Sequence, residues 1–269
     1  MAETMTLEEV QSEAERVLGV FDEFCRTHEL RYFVAYGTLL GAVRHQGHIP
    51  WDDDIDVVMP RPDYDRMIEL FRADEGQQVK LFAPGEDGWP IHFAKMVSTR
   101  TSMVEESVHF PPDYGVFVDI FPLDGVPQSN PQLHMRYIDA LHRLFQASYH
   151  QKVPSAGLSL HDRLRQIIGA IGRIVPRATY LKLMDRAMRK YPYETADRVA
   201  MLLSYLPFST EVFAKQELEG ESEVQFGALR VKAFARPEPI LERNYGSDWR
   251  TPIKRQNISV SHGTATWRS

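Results

Sequence analysis

The sequence has a single cysteine, Cys25, among 269 residues. One cysteine cannot form an intramolecular disulfide, and it excludes a zinc site built from several cysteines. Cys25 continues the apolar spacing of the first predicted helix, so we predict a small core residue rather than a nucleophile. The low cysteine count fits a reducing compartment.

Long hydrophobic runs and an excess of basic residues are also missing. No segment approaches ~18 uncharged apolar residues, so we expect no membrane span. The N-terminal segment MAETMTLEEVQSEAERV is acidic and polar, unlike a secretory signal. A net charge of −6 and a pI near 5.9 argue against duplex nucleic acid as the main partner. We therefore expect a cytoplasmic protein that works in solution or in peripheral contact with the inner face of the membrane.

The pattern of apolar residues predicts an α+β fold in three parts. Residues 1–130 read as a mixed core, which opens with a helix over 6–29 behind a Thr6–Glu9 capping box. Residues 131–221 form a mainly helical region, and residues 132–206 contain no evident strand. Residues 222–269 should supply one strand and a short helix that pack back on the core. The polar last dozen residues are expected to be mobile.

The strand candidates of the first part share β-branched and aromatic residues with turn residues at their ends. They are RYFVAY (31–36), IDVVM (55–59), IHFAKMVS (91–98), TSMVEE (101–106) and GVFVDIF (115–121).

The most unusual segment is PWDDDIDVVMP, residues 50–60, where aspartate fills four of five consecutive positions. Carboxylates this close repel one another, and their burial is costly unless a cation lies among them. Side chains two positions apart on a strand share a face, so Asp52, Asp54 and Asp56 should point one way and Asp53 the other way. Asp54 and Asp56 lie ~7 Å apart along the strand axis and can converge on one hard cation. We predict Mg²⁺, rather than a lysine, as the neutralising charge; the alternative is a solvated acidic turn.

A glycine and a hydroxyl residue precede the aspartates at a strand-to-helix turn. Gly37 permits close approach of the backbone, and a helix N-terminus offers N–H groups to a phosphate. Thr38 adds a hydroxyl. A phosphate anchor and a carboxylate pair on successive elements form a layout suited to phosphoryl transfer.

Three further residues are candidates for the same site. Asp119 lies within the apolar strand candidate GVFVDIF, so its carboxylate must be paired, metal-bound or catalytic. It completes a carboxylate triad if this strand neighbours 54–59; the alternative is a structural hydrogen bond to a loop. Arg44 and Lys95 are candidates for phosphate contacts. For each, the alternative is an ordinary surface or edge side chain.

Four aromatic residues near these positions allow two interpretations: Trp51, Trp89, Phe110 and Tyr114. They could form a cation–π cage for a choline headgroup, or they could belong to the core. We favour the core.

Three segments resemble blocks of the LicD family of phosphotransferases. They are YGTLLGAVRHQGHIPWDDDIDVVMPRPDYDRM, VFVDIFPLDGVP and YGSDWRTP. The resemblance is dense over residues 32–70 and 115–127 and looser over 91–106 and the helical middle. The family belongs to the nucleotidyltransferase-like superfamily, so the resemblance implies a catalytic core of the DNA polymerase β type with a mixed sheet.

The resemblance also implies roles for single residues. Gly37 and Thr38 match the glycine-plus-hydroxyl phosphate motif, Asp54 and Asp56 the metal-binding D-x-D pair, and Asp119 the third carboxylate. The implied cofactor is Mg²⁺, with Mn²⁺ as a substitute.

The resemblance implies transfer of a phospho-alcohol, first of all phosphocholine, from a CDP-alcohol donor with release of CMP. The implied acceptor is a hydroxyl of a cell-surface glycan or glycolipid precursor, such as that of lipopolysaccharide or teichoic acid. Two alternatives remain. One is a nucleotidyltransferase that moves a nucleoside monophosphate from a nucleoside triphosphate to a small-molecule hydroxyl. The other is a non-enzymatic Ca²⁺-binding module, although the spaced oxygen ligands of a Ca²⁺ loop are missing.

Overall fold

The structure, a computed structural model, describes residues 3–73, 78–86, 88–105, 108–148, 172, 174–203, 208–218, 220–252 and 262–268. The chain separates into two compact units. Unit 1 comprises Met1–Leu123 with Phe213–Ser269, and unit 2 comprises Asp124–Val212. The described residues form a mixed α+β fold, as predicted, and none of their helices is long and apolar enough to cross a membrane.

Helix α1 spans Leu7–Thr27 and confirms the predicted capping box. Thr6 Oγ1 accepts the N–H of Glu9, and the Glu9 carboxylate accepts the N–H of Thr6. Cys25 is fully buried on this helix, which confirms it as a core residue. The other helices within the described ranges are α2 (Tyr36–His45), α3 (Arg61–Arg72), α4 (Pro131–Ala147), α5 (Arg177–Met188), α6 (Phe208–Glu211) and α7 (Pro237–Tyr245), with 3₁₀ turns at Tyr193–Thr195 and Lys215–Leu218.

The strands, in chain order, are β1 (Phe33–Val34), β2 (Asp56–Pro60), β3 (Val79–Phe82), β4 (Ala94–Ser98), β5 (Thr101–Val104), β6 (Phe117–Gly125), β7 (Arg198–Met201), β8 (Val212–Ala214), β9 (Glu221–Phe226), β10 (Leu229–Phe234) and β11 (Thr264–Trp267). In unit 1, neighbouring strands follow the order β1-β2-β6-β4-β3. The β2–β6 pair is parallel and the other pairs along this path are antiparallel, so the sheet is mixed. The predicted carboxylates Asp56 and Asp119 therefore lie on two neighbouring strands of this path, β2 and its central strand β6.

Helix α1 lies against β4 and anchors one face of this sheet. Its Glu13 is buried, accepts hydrogen bonds from Arg16, and accepts the hydroxyl hydrogen of Ser98 at the end of β4. The apolar side of α1 fills the core with Ala14, Val17, Leu18 and Phe21, all at 0% exposure. The apolar residues predicted at helical spacing therefore lie on one buried face of α1.

Unit 2 has its own core, built where α4 and α5 pack together. It contains Val126, Ile138, Phe145, Tyr180, Met184 and Met188. The expectation of no strand in this part of the chain is wrong, because β7 forms there and Val126 donates to Arg198 O at 3.0 Å. The β7 segment RVAM has only four residues, too few for the two-residue alternation of a strand to be distinguished from a helical pattern. The predicted helix break at 155–159 lies outside the described residues.

The C-terminal part differs from its prediction in two places. The single strand expected after residue 222 is the hairpin β9–β10, because Gly227 adopts a φ of +57° and turns the chain. The last dozen residues, expected to be mobile, include β11, which pairs with β5 in antiparallel register. Strand partners that lie 160 or more positions apart leave no local signal in the sequence.

Candidate functional site

The predicted carboxylates meet because β2 and β6 are parallel neighbours. Their register pairs Asp56 with Asp119, and the β4–β6 register pairs Asp119 with Lys95. Partners in register share a face of the sheet, so these three side chains form one row across three strands. Asp54 lies just before β2, close enough for its charge to act on Asp56.

Burial alternates along the acidic run as predicted, but Asp53 and Asp54 converge on His262 instead of pointing to opposite faces, because the strand begins only at Asp56. Asp52, Asp54 and Asp56 are half-buried, whereas Asp53 is buried. Burial, reinforced by the charges of Asp54 and Asp119, raises the pKa of Asp56 well above its ordinary value. Burial and the Asp54 charge raise the pKa of Asp52 to about 8. The site is therefore short of positive charge.

Asp119 is 6% exposed and lies beside a cation. Its Oδ1 is 2.9 Å from Lys95 Nζ, yet this oxygen has no hydrogen bond of regular geometry among the described residues. Burial raises the pKa of Asp119 to about 6, although Lys95 opposes the change. A buried carboxylate oxygen without a good hydrogen bond is a position where a metal ion or a substrate hydroxyl fits.

Lys95 is surrounded by aromatic rings. Its Nζ lies 3.3 Å from the Phe117 ring centroid and 5.6–5.7 Å from the centroids of Phe93, Phe110 and Tyr114. Phe110 and Tyr114, two of the four aromatic residues considered as a choline cage or as core, thus face a lysine of the protein itself. Trp89 and Tyr114 are buried, as the favoured core interpretation predicts. The cation–π contacts and the Asp119 ion pair hold the ammonium group at the end of the carboxylate row.

The glycine–threonine turn is tied directly to the aspartates. Helix α2 begins at Tyr36, whose φ of +45° is unusual for an aromatic residue. Thr38 is buried, and its Oγ1 accepts the N–H of Asp56 at 2.8 Å. A Cβ atom at Gly37 would lie only 2.7 Å from Asp52 Oδ2, so only glycine fits without a shift of that carboxylate. The turn and the acidic run are therefore positioned by one another.

Arg44 lies at the last turn of α2, outside the carboxylate row. Its Nη1 donates to Trp249 O at 2.8 Å, and its Nε donates to His45 Nε2 at 2.9 Å. These bonds link α2 to the YGSDWRTP segment. A phosphate contact by Arg44 stays a prediction.

Sequence reasoning missed His262, which the C-terminal segment brings to the aspartates. Its Nδ1 lies 2.8 Å from Asp53 Oδ1, its backbone N–H donates to Asp53 Oδ2 at 2.9 Å, and its Nε2 lies 3.6 Å from Asp54 Oδ2. The hydrogen bond to Asp53 raises the pKa of His262 to about 9, with further help from both carboxylate charges and against burial. The separation of 209 positions between His262 and Asp53 explains why no local pattern revealed the contact.

Residues 29–161 match the family model described as LicD/FKTN/FKRP, nucleotidyltransferase domain. The lipopolysaccharide cholinephosphotransferase LicD of Haemophilus influenzae is 35% identical over 126 residues. The chain belongs to the LicD family. That alignment covers 46% of this chain and 46% of the relative, so the chain spans about half the length of the curated relative. Uncharacterized proteins of Rickettsia prowazekii and Rickettsia typhi are each 48% identical over 48 residues, 16% of this chain and 18% and 16% of those proteins.

The LicD match contains the carboxylate row and the glycine–threonine turn, because residues 29–161 include every site residue predicted from the sequence. His262 lies outside it. The carboxylate row therefore lies within the segment that matches the LicD family, whereas His262 comes from the C-terminal segment outside that match.

Proposed function

We propose that the protein transfers a phospho-alcohol, phosphocholine in the first place, from a CDP-activated donor to a hydroxyl of a cell-surface glycan or its precursor, with release of CMP. The observation that carries this proposal is the row of Asp56, Asp119 and Lys95 within the LicD segment. The Haemophilus relative, named as a lipopolysaccharide cholinephosphotransferase, supports phosphocholine as the group and a glycan as the acceptor.

We further propose that unit 1 is a nucleotidyltransferase-like core of the DNA polymerase β type. Two features support it. A helix begins at a glycine–threonine turn directly after β1, and acidic residues lie side by side on the adjacent parallel strands β2 and β6. The described mixed sheet is compatible with this assignment.

We propose that a hard divalent cation, Mg²⁺ or, as a substitute, Mn²⁺, binds at Asp54, Asp56 and Asp119. Among the described residues, only Asp53, Asp54 and His262 bring three ligand atoms within 4.8 Å of one another, so Asp56 and Asp119 would move toward the ion. Asp54 and Asp56 offer half-buried carboxylates, and Asp119 offers an oxygen that lacks a regular hydrogen bond within the described ranges. Carboxylate oxygens are the ligands that Mg²⁺ prefers. These three residues would hold the ion, which supplies charge neutralisation to the donor pyrophosphate when bound.

The protein's own groups position the two substrates. The N-terminus of α2 at Gly37 offers backbone N–H groups to a donor phosphate. Thr38 keeps the Asp56 backbone in place through its hydrogen bond. Lys95, held by aromatic rings and by Asp119, presents a fixed positive charge at the other end of the row.

Asp119 is the group best placed to handle the proton of the acceptor hydroxyl. As the hydroxyl oxygen bonds to the phosphorus of phosphocholine, the bond from that phosphorus to the bridging oxygen of CMP breaks. The Asp119 carboxylate takes the hydroxyl proton, and CMP leaves as the anion.

The test is CMP release from CDP-choline and CDP-ribitol, with and without lipopolysaccharide or teichoic acid precursors, at several Mg²⁺ concentrations. We expect acceptor-dependent CMP release from at least one CDP-alcohol and appearance of the phospho-alcohol on the acceptor. No CMP release from any CDP-alcohol with any acceptor would refute the proposal.

A nucleotidyltransferase activity is the second candidate, favoured by the words "nucleotidyltransferase domain" in the description of the matching family. It predicts pyrophosphate release from ATP or CTP with a small-molecule hydroxyl acceptor. Pyrophosphate and CMP assays on the same preparation separate the two activities.

A further inference from the structure

We propose that His262 is a nitrogen ligand of the cation site and that Asp53 is the positioning residue that orients its ring. The inference rests on the proposed cation at Asp54 and extends it with residues that the D-x-D pattern does not include. Asp53, Asp54 and His262 each have a ligand atom within 4.8 Å of the others.

The bonds to Asp53 set the orientation of the imidazole. Both carboxylate oxygens of Asp53 accept hydrogen bonds from His262. Its Oδ2 accepts the backbone N–H, and its Oδ1 lies within hydrogen-bond distance of the ring nitrogen Nδ1. A carboxylate only accepts, so Nδ1 carries a hydrogen and donates it. The lone pair of a neutral ring is then on Nε2. A carboxylate that holds the far nitrogen of a histidine ring is the usual support of a metal-binding histidine.

The free nitrogen faces a carboxylate oxygen. His262 Nε2 and Asp54 Oδ2 are 3.6 Å apart. Two atoms bound to one ion at ~2.1 Å are separated by at most ~4.2 Å, so this distance is compatible with a shared cation. In the metal-free protein a proton on Nε2 faces Asp54, and a bound metal ion would take the place of that proton.

The backbone beside His262 is held in place by unit 1. The strand β11 starts two residues later and pairs with β5, with Thr264 opposite Val104. Beyond it, Arg268 donates to Tyr114 O at 3.3 Å. The Phe117 ring contacts the imidazole edge-on with centroids 5.9 Å apart. The histidine thus lies two residues before a paired strand, which limits how far its backbone can move, as a ligand position requires.

A nitrogen ligand changes which metals the site prefers. Mg²⁺ favours all-oxygen surroundings, whereas imidazole suits later transition metals, and affinity for a nitrogen-containing site rises from Mn²⁺ to Co²⁺. We therefore expect the protein to bind Co²⁺ and Mn²⁺ more tightly than Mg²⁺. His262→Gln should narrow that difference, because it removes the nitrogen and leaves the carboxylates.

The experiment measures metal binding to the whole chain without donor or acceptor. Isothermal titration gives the Kd for Mg²⁺, Mn²⁺ and Co²⁺, and the electron spin echo of bound Mn²⁺ reports nitrogen coordination. The proteins are the parent, His262→Gln, Asp53→Asn and Asp54→Asn. His109→Gln is the matched control, because His109 is exposed.

We expect nitrogen modulation of the Mn²⁺ spin echo in the parent and in His109→Gln, and none in His262→Gln. In titrations, the Kd of His262→Gln for Co²⁺ should rise at least ~10-fold, while its Kd for Mg²⁺ should change less. Asp53→Asn should keep the modulation and weaken binding ~10-fold, and Asp54→Asn should abolish the bound Mn²⁺ signal.

Absence of nitrogen modulation in the parent overturns the inference, even if His262→Gln does not fold. Equal modulation in His262→Gln, or retained Mn²⁺ binding in Asp54→Asn, overturns it as well, since the nitrogen or the ion is then elsewhere. Transfer activity is not used, so failure of the inference and failure of the proposed function are distinguishable.

Discussion

Replacement of Asp119 by asparagine separates a catalytic from a structural aspartate. The amide matches the carboxylate in size and keeps an oxygen next to Lys95, so packing is preserved. It removes the negative charge that would hold the cation and take the acceptor proton. We expect turnover in CMP release to fall at least ~10²-fold, since removal of one stabilising group in an active site costs that much.

The stability of this variant should move in the opposite direction. In the metal-free protein, the pKa of Asp119 is about 6 against an ordinary 3.8. This difference corresponds to roughly 3 kcal/mol that disfavours the ionised carboxylate at neutral pH, with the Lys95 ion pair already included. A neutral amide does not carry this cost. The melting temperature of Asp119→Asn, measured with a chelator present, should therefore hold or rise.

The matched control is Asp63→Asn on α3. Asp63 is also buried and also pairs with a cation, since its Oδ2 lies 2.6 Å from Arg31 Nη2, but it is outside the carboxylate row. This variant should lose stability and keep its turnover in the folded fraction. Thermal melts and CMP release on the same preparations decide the case. Near-normal turnover of Asp119→Asn, or a large drop in its melting temperature, would refute the reasoning.

Three other changes test the site and its support. Asp54→Asn or Asp56→Asn should lower turnover at least ~10²-fold at saturating Mg²⁺ and hold or raise the metal-free melting temperature, because mutual repulsion is relieved; retained activity in either variant would contradict this. Thr38→Val leaves the Asp56 N–H without its acceptor, so we expect a loss of ~1–3 kcal/mol in denaturant unfolding and weaker CDP-alcohol binding in titration. Glu13→Ala removes a buried acceptor of two residues and should cost ~3 kcal/mol. Burial opposes ionisation of Glu13, but its hydrogen bonds to Arg16 and Ser98 hold the pKa of its carboxyl below 4.5. The ionised Glu13 therefore stabilises the fold above pH 4.5, and this contribution is lost as the pH falls below that value. Unfolding curves of Glu13→Ala should lack this pH-dependent part of the stability.

The central carboxylates could be predicted because their positions follow from local rules. Alternation along an extended chain assigned Asp54 and Asp56 to one face, and the apolar run that follows them required burial. An aspartate inside GVFVDIF had to be paired, and β6 does lie next to β2 with Asp119 opposite Asp56. Each inference used fewer than ten consecutive residues.

The partners of those carboxylates could not be predicted because they depend on pairing between distant segments. The β4–β6 register decides that Lys95 is opposite Asp119, and β11 pairing decides that His262 reaches Asp53. Strand β3 escaped notice because VKLF is short and one of its four residues is exposed. A single sequence carries little information on register, which tertiary packing settles.

The acidic run and its surroundings keep more negative charge than their own cations can balance. Asp52, Asp53, Asp54, Asp56 and Asp119 are five carboxyl groups, and the contacts among the described residues supply two cationic partners, Lys95 and His262. A fold selected only for stability would not bury carboxylates whose pKa values are raised, because each ionised group then costs free energy. The imbalance fits a site whose missing positive charge arrives with a ligand. The ammonium of Lys95 and the imidazole of His262 both lie beside the Phe117 ring, so a divalent cation at the carboxylates would supply positive charge that these two groups do not.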